Sequence, residues 1–259
     1  MGVLAPGHGL QHLPDHAKTL ALSFASFALL QLWLSPTLSR VILGPQKWKD
    51  LGKRTQGGWN VRVASTVHAL LVVPLAVRCF SSPVLDMDRA FGWDDTAGAL
   101  YAMSCGYFAW DTLTSIVQYE GIGFVVHGVV CLAIYLMGFR PFLAYYGTRF
   151  LLWELSTPFL NIHWFLDKTG RTGSVFQLLN GAALISTFAS VRLVYGGIMS
   201  YQFYQTIAAV KSQIPPSLFY AYAAGNIVLQ GLNWFWFTRM IAALRKRFSG
   251  PTEKRVKRS

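Results

Sequence analysis

Seven apolar runs of roughly twenty residues divide the chain, at about 18–36, 59–80, 96–118, 121–139, 141–165, 174–197 and 216–240. At ~1.5 Å of rise per residue, a helix of that length crosses the ~30 Å hydrocarbon layer of a bilayer. Composition agrees, with 53% hydrophobic and 13% charged residues, where soluble domains carry about a quarter charged. The expectation is an all-α, polytopic transmembrane protein of about seven spans. The first run lacks a basic segment before it and a small-residue cleavage pattern after it, so it reads as a retained span and not a signal peptide.

The charges cluster between the runs. Residues 37–58 hold Arg40, Lys47, Lys49, Lys53 and Arg54 against Asp50, and the tail beyond 244 is equally basic, including Lys254, Arg255, Lys257 and Arg258. The 81–95 loop is acidic, with Asp86, Asp88, Asp94 and Asp95 against Arg89. Basic loops stay cytoplasmic, and seven spans put the first loop and the tail on that same side. The carboxyl terminus is therefore expected in the cytosol. The net charge of +12 then belongs to the headgroup region, where anionic lipid attracts each Lys or Arg by about 1 kcal/mol, and nucleic-acid binding is excluded. Cys79, Cys105 and Cys131 sit in or at the ends of apolar runs without CxxC spacing, which supports neither a disulfide framework nor a metal site.

Polar groups inside spans are costly and face a protein interior or a wet cavity. In the third run, Ser104, Tyr107, Asp111, Thr114 with Ser115, and Gln118 recur at three and four residues and share one helical face. The fifth run carries Arg149, Glu154, Pro158, Asn161 and His163; Glu154, Pro158 and Asn161 share a face, and Pro158 predicts a kink because it removes a donor and crowds the carbonyl of Glu154. His163 and Trp164 look like an interfacial end. Other runs add His68, His127, Gln177 with Asn180, and the Asn226, Gln230, Asn233 stripe. Arg62, Arg78 and Arg192 lie nearer predicted ends, where long side chains snorkel toward headgroups. Cys131, one turn from His127, is expected to pack as a small residue.

These pieces resemble the TLC-domain family, which includes the ceramide synthases. WNVRVASTVHALL, YFAWDTLTSIVQY, FVVHGVV, RFLLWELSTPFLNIHWFL and SVFQLLNGAALISTF follow in family order over about 58–240, and the likeness is greater to the TLC domain-containing proteins than to the ceramide synthases. The resemblance implies a six-helix barrel around a lipid-accessible cavity, residence in the endoplasmic reticulum, and a role in lipid synthesis or homeostasis. It divides the chain into an N-terminal segment (1–17), an extra helix with a basic cytosolic loop (18–57), the TLC domain (58–242) and a basic cytosolic tail (243–259). The family's HHxxT element stands here as His127-Gly128-Val129-Val130-Cys131, with one histidine kept.

Two functions follow. One is acyl-CoA-dependent transfer of an acyl chain to a lipid amine or hydroxyl, with His127 as base or nucleophile and Asp111 orienting it. His68, Tyr107, Gln118, Arg149, Glu154, Asn161 and Asn180 would then bind substrate. Acyl-CoA would be a co-substrate, with no bound cofactor or metal. The other is a non-catalytic protein that binds membrane lipid in the same cavity and regulates membrane phospholipid or sphingolipid composition. Either way, Asp111, His127, Glu154, Asn161 and Asn180 are expected to converge on one cavity. The short Tyr119–Glu120–Gly121 link predicts Asp111 and His127 at similar depth and within hydrogen-bond reach.

Overall fold

Pro14, Pro45, Pro83 and Pro216 each stand at the first or second position of a helix, where a missing N–H costs nothing and φ is already helical. The computed structural model describes residues 9–248, and every regular element among them is helical. Each of the seven apolar runs falls largely on one helix. They are α1 (Leu13–Leu43), α3 (Gly52–Ser81), α5 (Asp95–Val117), α6 (Ile122–Met137), α7 (144–168), α8 (Val175–Ala209) and α9 (Pro216–Phe248), with short α2 (Pro45–Asp50) and α4 (Pro83–Met87) between. By length and apolarity α1, α3 and α8 can each cross a membrane. Most of the basic tail expected at 243–259 lies outside the described residues.

Three helices change winding partway. In α7, Ala144–Phe150 is α-helical, Leu151–Ser156 tightens to 3-10 geometry, and Thr157–Lys168 resumes the α-helix with Pro158 at its start. The disturbance expected from Pro158 thus takes the form of a tightened turn before it. In α8 the stretch Ala189–Tyr195 widens to π geometry, and α1 does the same at Leu30–Leu34. Such irregular turns inside helices gather at functional sites.

Small residues set the packing. A Cβ on Gly106 of α5 would collide with the carbonyl of Leu20 and stand 2.6 Å from Ser23 of α1, the close approach that glycine permits between membrane helices. Ser23 Oγ donates to Met103 O (2.7 Å), and Gln31 Oε1 accepts from Trp110 Nε1 (2.9 Å). The helix expected as an extra element therefore packs on α5 along its length. α5 and α6 are close neighbours: a Cβ on Gly128 would meet Thr112 Oγ1 at 2.6 Å and Asp111 Oδ2 at 3.4 Å. α3 and α7 are tied by Asn161, whose Nδ2 donates to Ser65 Oγ and Thr66 Oγ1 at 2.8 Å each.

The two ends of the bundle differ in charge. At one end Asp94 caps α5, accepting from Thr96 N (2.7 Å) and Ala97 N (3.3 Å), and Asp86 pairs with Arg149 at 3.0 Å. At the other end Trp48, Trp59, Trp164 and Phe165 cluster, with Trp59 and Phe165 rings 4.4 Å apart. Lys47, Lys49, Lys168 and Arg171 belong to this second end.

Candidate functional site

The 3-10 turn of α7 and the π turn of α8 lie side by side, and each presents one charged residue to the other. Glu154 and Arg192 are 8% and 6% exposed, with Glu154 Oε1 3.8 Å from Arg192 Nη2. Arg192 is heavily bonded: Nε donates to Trp153 O and Ser156 Oγ at 3.0 Å each, and Nη1 donates to Asn233 Oδ1 on α9 at 3.1 Å. Glu154 Oε2 accepts from Thr157 Oγ1 at 2.8 Å. A buried ion pair is sustained only with this kind of added hydrogen bonding. The expectation that Arg192 snorkels is corrected. It stands at the midpoint of the 35-residue α8, too far from either end for its head to reach water.

Glu154 also faces a cavity of about 50 Å³ between α5, α6, α7, α8 and α9. Its wall is apolar and aromatic, with Phe108, Tyr135, Tyr146 and Phe203 prominent, and His127, Cys131, Glu154 and Asn226 supply the polar atoms. Cys131 Sγ is 3.9 Å from His127 Nδ1 and 3.8 Å from Nε2. Near-equal distances to both nitrogens mean that the thiol is directed at neither one, so this is packing and not an aligned hydrogen bond. Trp153 Nε1, in the same wall, is buried without an acceptor. A Cβ on Gly196 would stand 2.7 Å from that nitrogen and 3.0 Å from Gln230 Nε2, so glycine is what lets α8 come this close.

The structure brings two of the five residues expected to converge, His127 and Glu154, to the cavity. Asp111 is half-buried beside Gly128, directly next in sequence to His127, yet among the described residues no hydrogen bond joins the two side chains. The depth was right; the turn of α6 carries the imidazole to the cavity side of the contact. Asn161 and Asn180 are corrections: the first is spent on α3, and the second donates from Nδ2 to Phe159 O at 2.8 Å. Both hold helices together because an amide inside a bundle bonds the nearest free acceptor.

The remaining expected substrate contacts lie off the cavity wall. His68 is fully buried and stacked on Tyr107, centroids 3.6 Å apart, between α3 and α5, so neither ring faces the void. Both ring nitrogens of His68 lack partners. Arg149 lies over the Tyr145 ring at 3.4 Å and pairs with Asp86, because the acidic loop folds back over α7. Gln118 ends α5 near Gly57, beyond the cavity's reach. Arg192 and Trp153 were missed. An arginine within an apolar run was the available signal for the first.

Helices able to span a bilayer, around an apolar interior cavity edged by an imidazole and a buried ion pair, define a membrane protein. The TLC-domain profile matches residues 58–242, and the chain belongs to that family. It is similar to a TLC domain-containing protein of Schizosaccharomyces pombe, 40% identical over 244 residues that cover 93% of this chain and 83% of that one. It is also similar to Topoisomerase I damage affected protein 4 of Saccharomyces cerevisiae (26% over 270 residues; 98% and 96% covered). Human TLC domain-containing protein 4 is 27% identical over 248 residues, covering 92% of each chain.

Proposed function

We propose that the chain is a multi-pass lipid-metabolism protein of the endoplasmic reticulum, with seven spans and a cytosolic carboxyl terminus. In this reading α3 and α5–α9 form a TLC-type barrel, α1 packs outside it, and the central cavity takes an acyl chain. The observation that carries it is the placement of His127 and Glu154 on one apolar interior cavity. An imidazole there can accept the proton of an attacking lipid amine or hydroxyl. In acyl-CoA-dependent transfer the new amide or ester bond forms at the acyl carbonyl, the thioester C–S bond breaks, and CoA leaves as the thiol. Arg192 keeps Glu154 fixed in the wall. Asp111 stays a second carboxylate in the same interior, its reach to His127 depending on a water or a small movement.

Lipid profiling of a knockout rescued with wild type or with His127→Ala tests this. Loss of one acylated lipid class with the variant, at equal protein level, is the expected result; full rescue by the variant rejects catalysis.

The second reading, a non-catalytic lipid-binding regulator of membrane composition, draws on one observation: among the described residues no carboxylate is hydrogen-bonded to His127. Mass spectrometry of the purified protein separates the two. An acyl group bonded to His127 favours the enzyme; intact lipid with nothing covalent favours the regulator.

A further inference from the structure

A second, much larger cleft of about 700 Å³ opens at the basic end of the bundle, between the end of α1, the short α2 and the end of α7. Its shape depends on two turns: Gly44 (φ 85°) and Gly52 (φ 72°) adopt the left-handed backbone that lets the chain reverse on either side of α2. Ile42, Leu43, Ile162 and Phe165 give it an apolar floor, and Lys47, Lys168 and Arg171 give it a cationic rim against one carboxylate, Asp50.

The rim charges are not equally engaged. Asp50 Oδ1 accepts from Gln46 Nε2 at 2.8 Å, and Lys168 Nζ is 3.1 Å from Asp167. Lys168 and the hydroxyl of Thr172 hold the Asp167 carboxyl below its usual range, so that pair stays charged. Among the described residues, Lys47 and Arg171 have no carboxylate within 4 Å. Two unneutralised cations thus face a cleft whose floor is hydrocarbon.

Depth identifies the occupant. Trp164, half-buried near the end of α7 with Arg62 and Lys168 against its ring, is the kind of residue that settles at the headgroup level of a bilayer. Ile42, on the cleft's edge, is 78% exposed on a helix able to span the membrane, so the floor continues onto the lipid-facing surface. A molecule with a phosphate at the interface and a chain running into the bilayer complements both parts. A coenzyme A thioester fits less well, because an adenine needs a free aromatic face. Here Phe165 is covered by Trp59, and Trp164 by Arg62 at 4.3 Å.

We propose that this cleft binds a membrane phospholipid with an anionic headgroup, its phosphate between Lys47 and Arg171 and its chain along Ile42 and Phe165. This site is separate from the interior cavity and does not depend on the catalytic reading. The test uses the full-length protein in mixed micelles or nanodiscs of phosphatidylcholine, with phosphatidic acid as titrant and native mass spectrometry as readout. Each interfacial cation contributes about fivefold, so Lys47→Gln with Arg171→Gln should weaken phosphatidic acid retention roughly 25-fold. Lys49→Gln with Lys53→Gln removes equal charge outside the cleft and should leave retention near wild type. Equal loss in the Lys49/Lys53 control reduces the effect to surface charge and overturns the site, as does unchanged binding in the Lys47/Arg171 variant. Competitive displacement of the lipid by palmitoyl-CoA at equal or lower concentration overturns the phospholipid as occupant.

Discussion

Arg192 shows how a single residue changes the reading of a span. From the sequence, the sixth apolar run ends near 197, which puts the arginine close to a span end and to water. The helix instead continues to Ala209, and Gly196 within it admits the close approach of Trp153 and Gln230. Arg192 is then central, and its partner must be internal. Truncating one member of a buried pair leaves the other charge unmatched and costs about 3–5 kcal/mol, whereas an apolar replacement of both is often neutral. Arg192→Met alone should therefore lower the melting temperature in detergent strongly, and Arg192→Met with Glu154→Met should recover most of the loss. Additive losses in that double-mutant cycle would show that the two side chains act independently. His127 was legible because a lone imidazole in an apolar run stands out. The separation of Asn161 and Asn180 from the cavity was not, since spacing reports a shared face but not which neighbour that face meets.

At the scale of elements, the apolar runs located all seven main helices, while their winding stayed hidden. Pro158 signalled a disturbance in α7, yet nothing in ASVRLVY announces the π turn at Ala189–Tyr195. That turn carries Arg192, whose partners Trp153, Ser156 and Asn233 all lie on other helices. Two elements lend themselves to test. A methyl at Gly106 would press on Leu20 O and Ser23 of α1, and such overpacking costs ~1–3 kcal/mol. Gly106→Ala should lower the melting temperature, and protease sensitivity should rise first in α1. The N-cap of α5 is the second. Burial opposes ionisation of Asp94, but hydrogen bonds from Ser82, Thr96 and Ala97 outweigh it and hold the carboxyl below the usual range. A carboxyl lowered by folding stabilises the folded state fully above its unfolded value, ~3.9, and that contribution fades as pH falls below it. Asp94→Ala should cost ~1 kcal/mol at neutral pH, and the gap from wild type should narrow in melts taken below about pH 4.

At the scale of the molecule, the bundle is polarised from end to end, and that polarity decides its orientation. Arg247 at the end of α9 donates from Nη2 to Gln177 Oε1 at 3.2 Å, and Gln177 Oε1 also accepts from Gly173 N at 2.8 Å. The turn carrying Arg171 and Gly173 follows directly on Lys168, which lines the same cleft as Lys47. So the basic loop after α1 and the start of the tail meet at one end, as loop charges alone suggested. Asp86, Asp88, Asp94 and Asp95 lie at the opposite end, where Arg149 answers Asp86. The translocation rule counts Lys and Arg in short loops and gives Asp and Glu little weight, so the basic end should stay cytosolic. A tag placed after Ser259 should be cleaved by protease added to sealed microsomes, while a tag inserted in the 88–93 loop should be cut only after detergent. Reversed protection would invert the assignment and move the cationic cleft to the lumenal leaflet. Its anionic-lipid occupant would then be far scarcer, since anionic headgroups concentrate in the cytoplasmic leaflet. The orientation assay therefore bears on the cleft as well as on the topology.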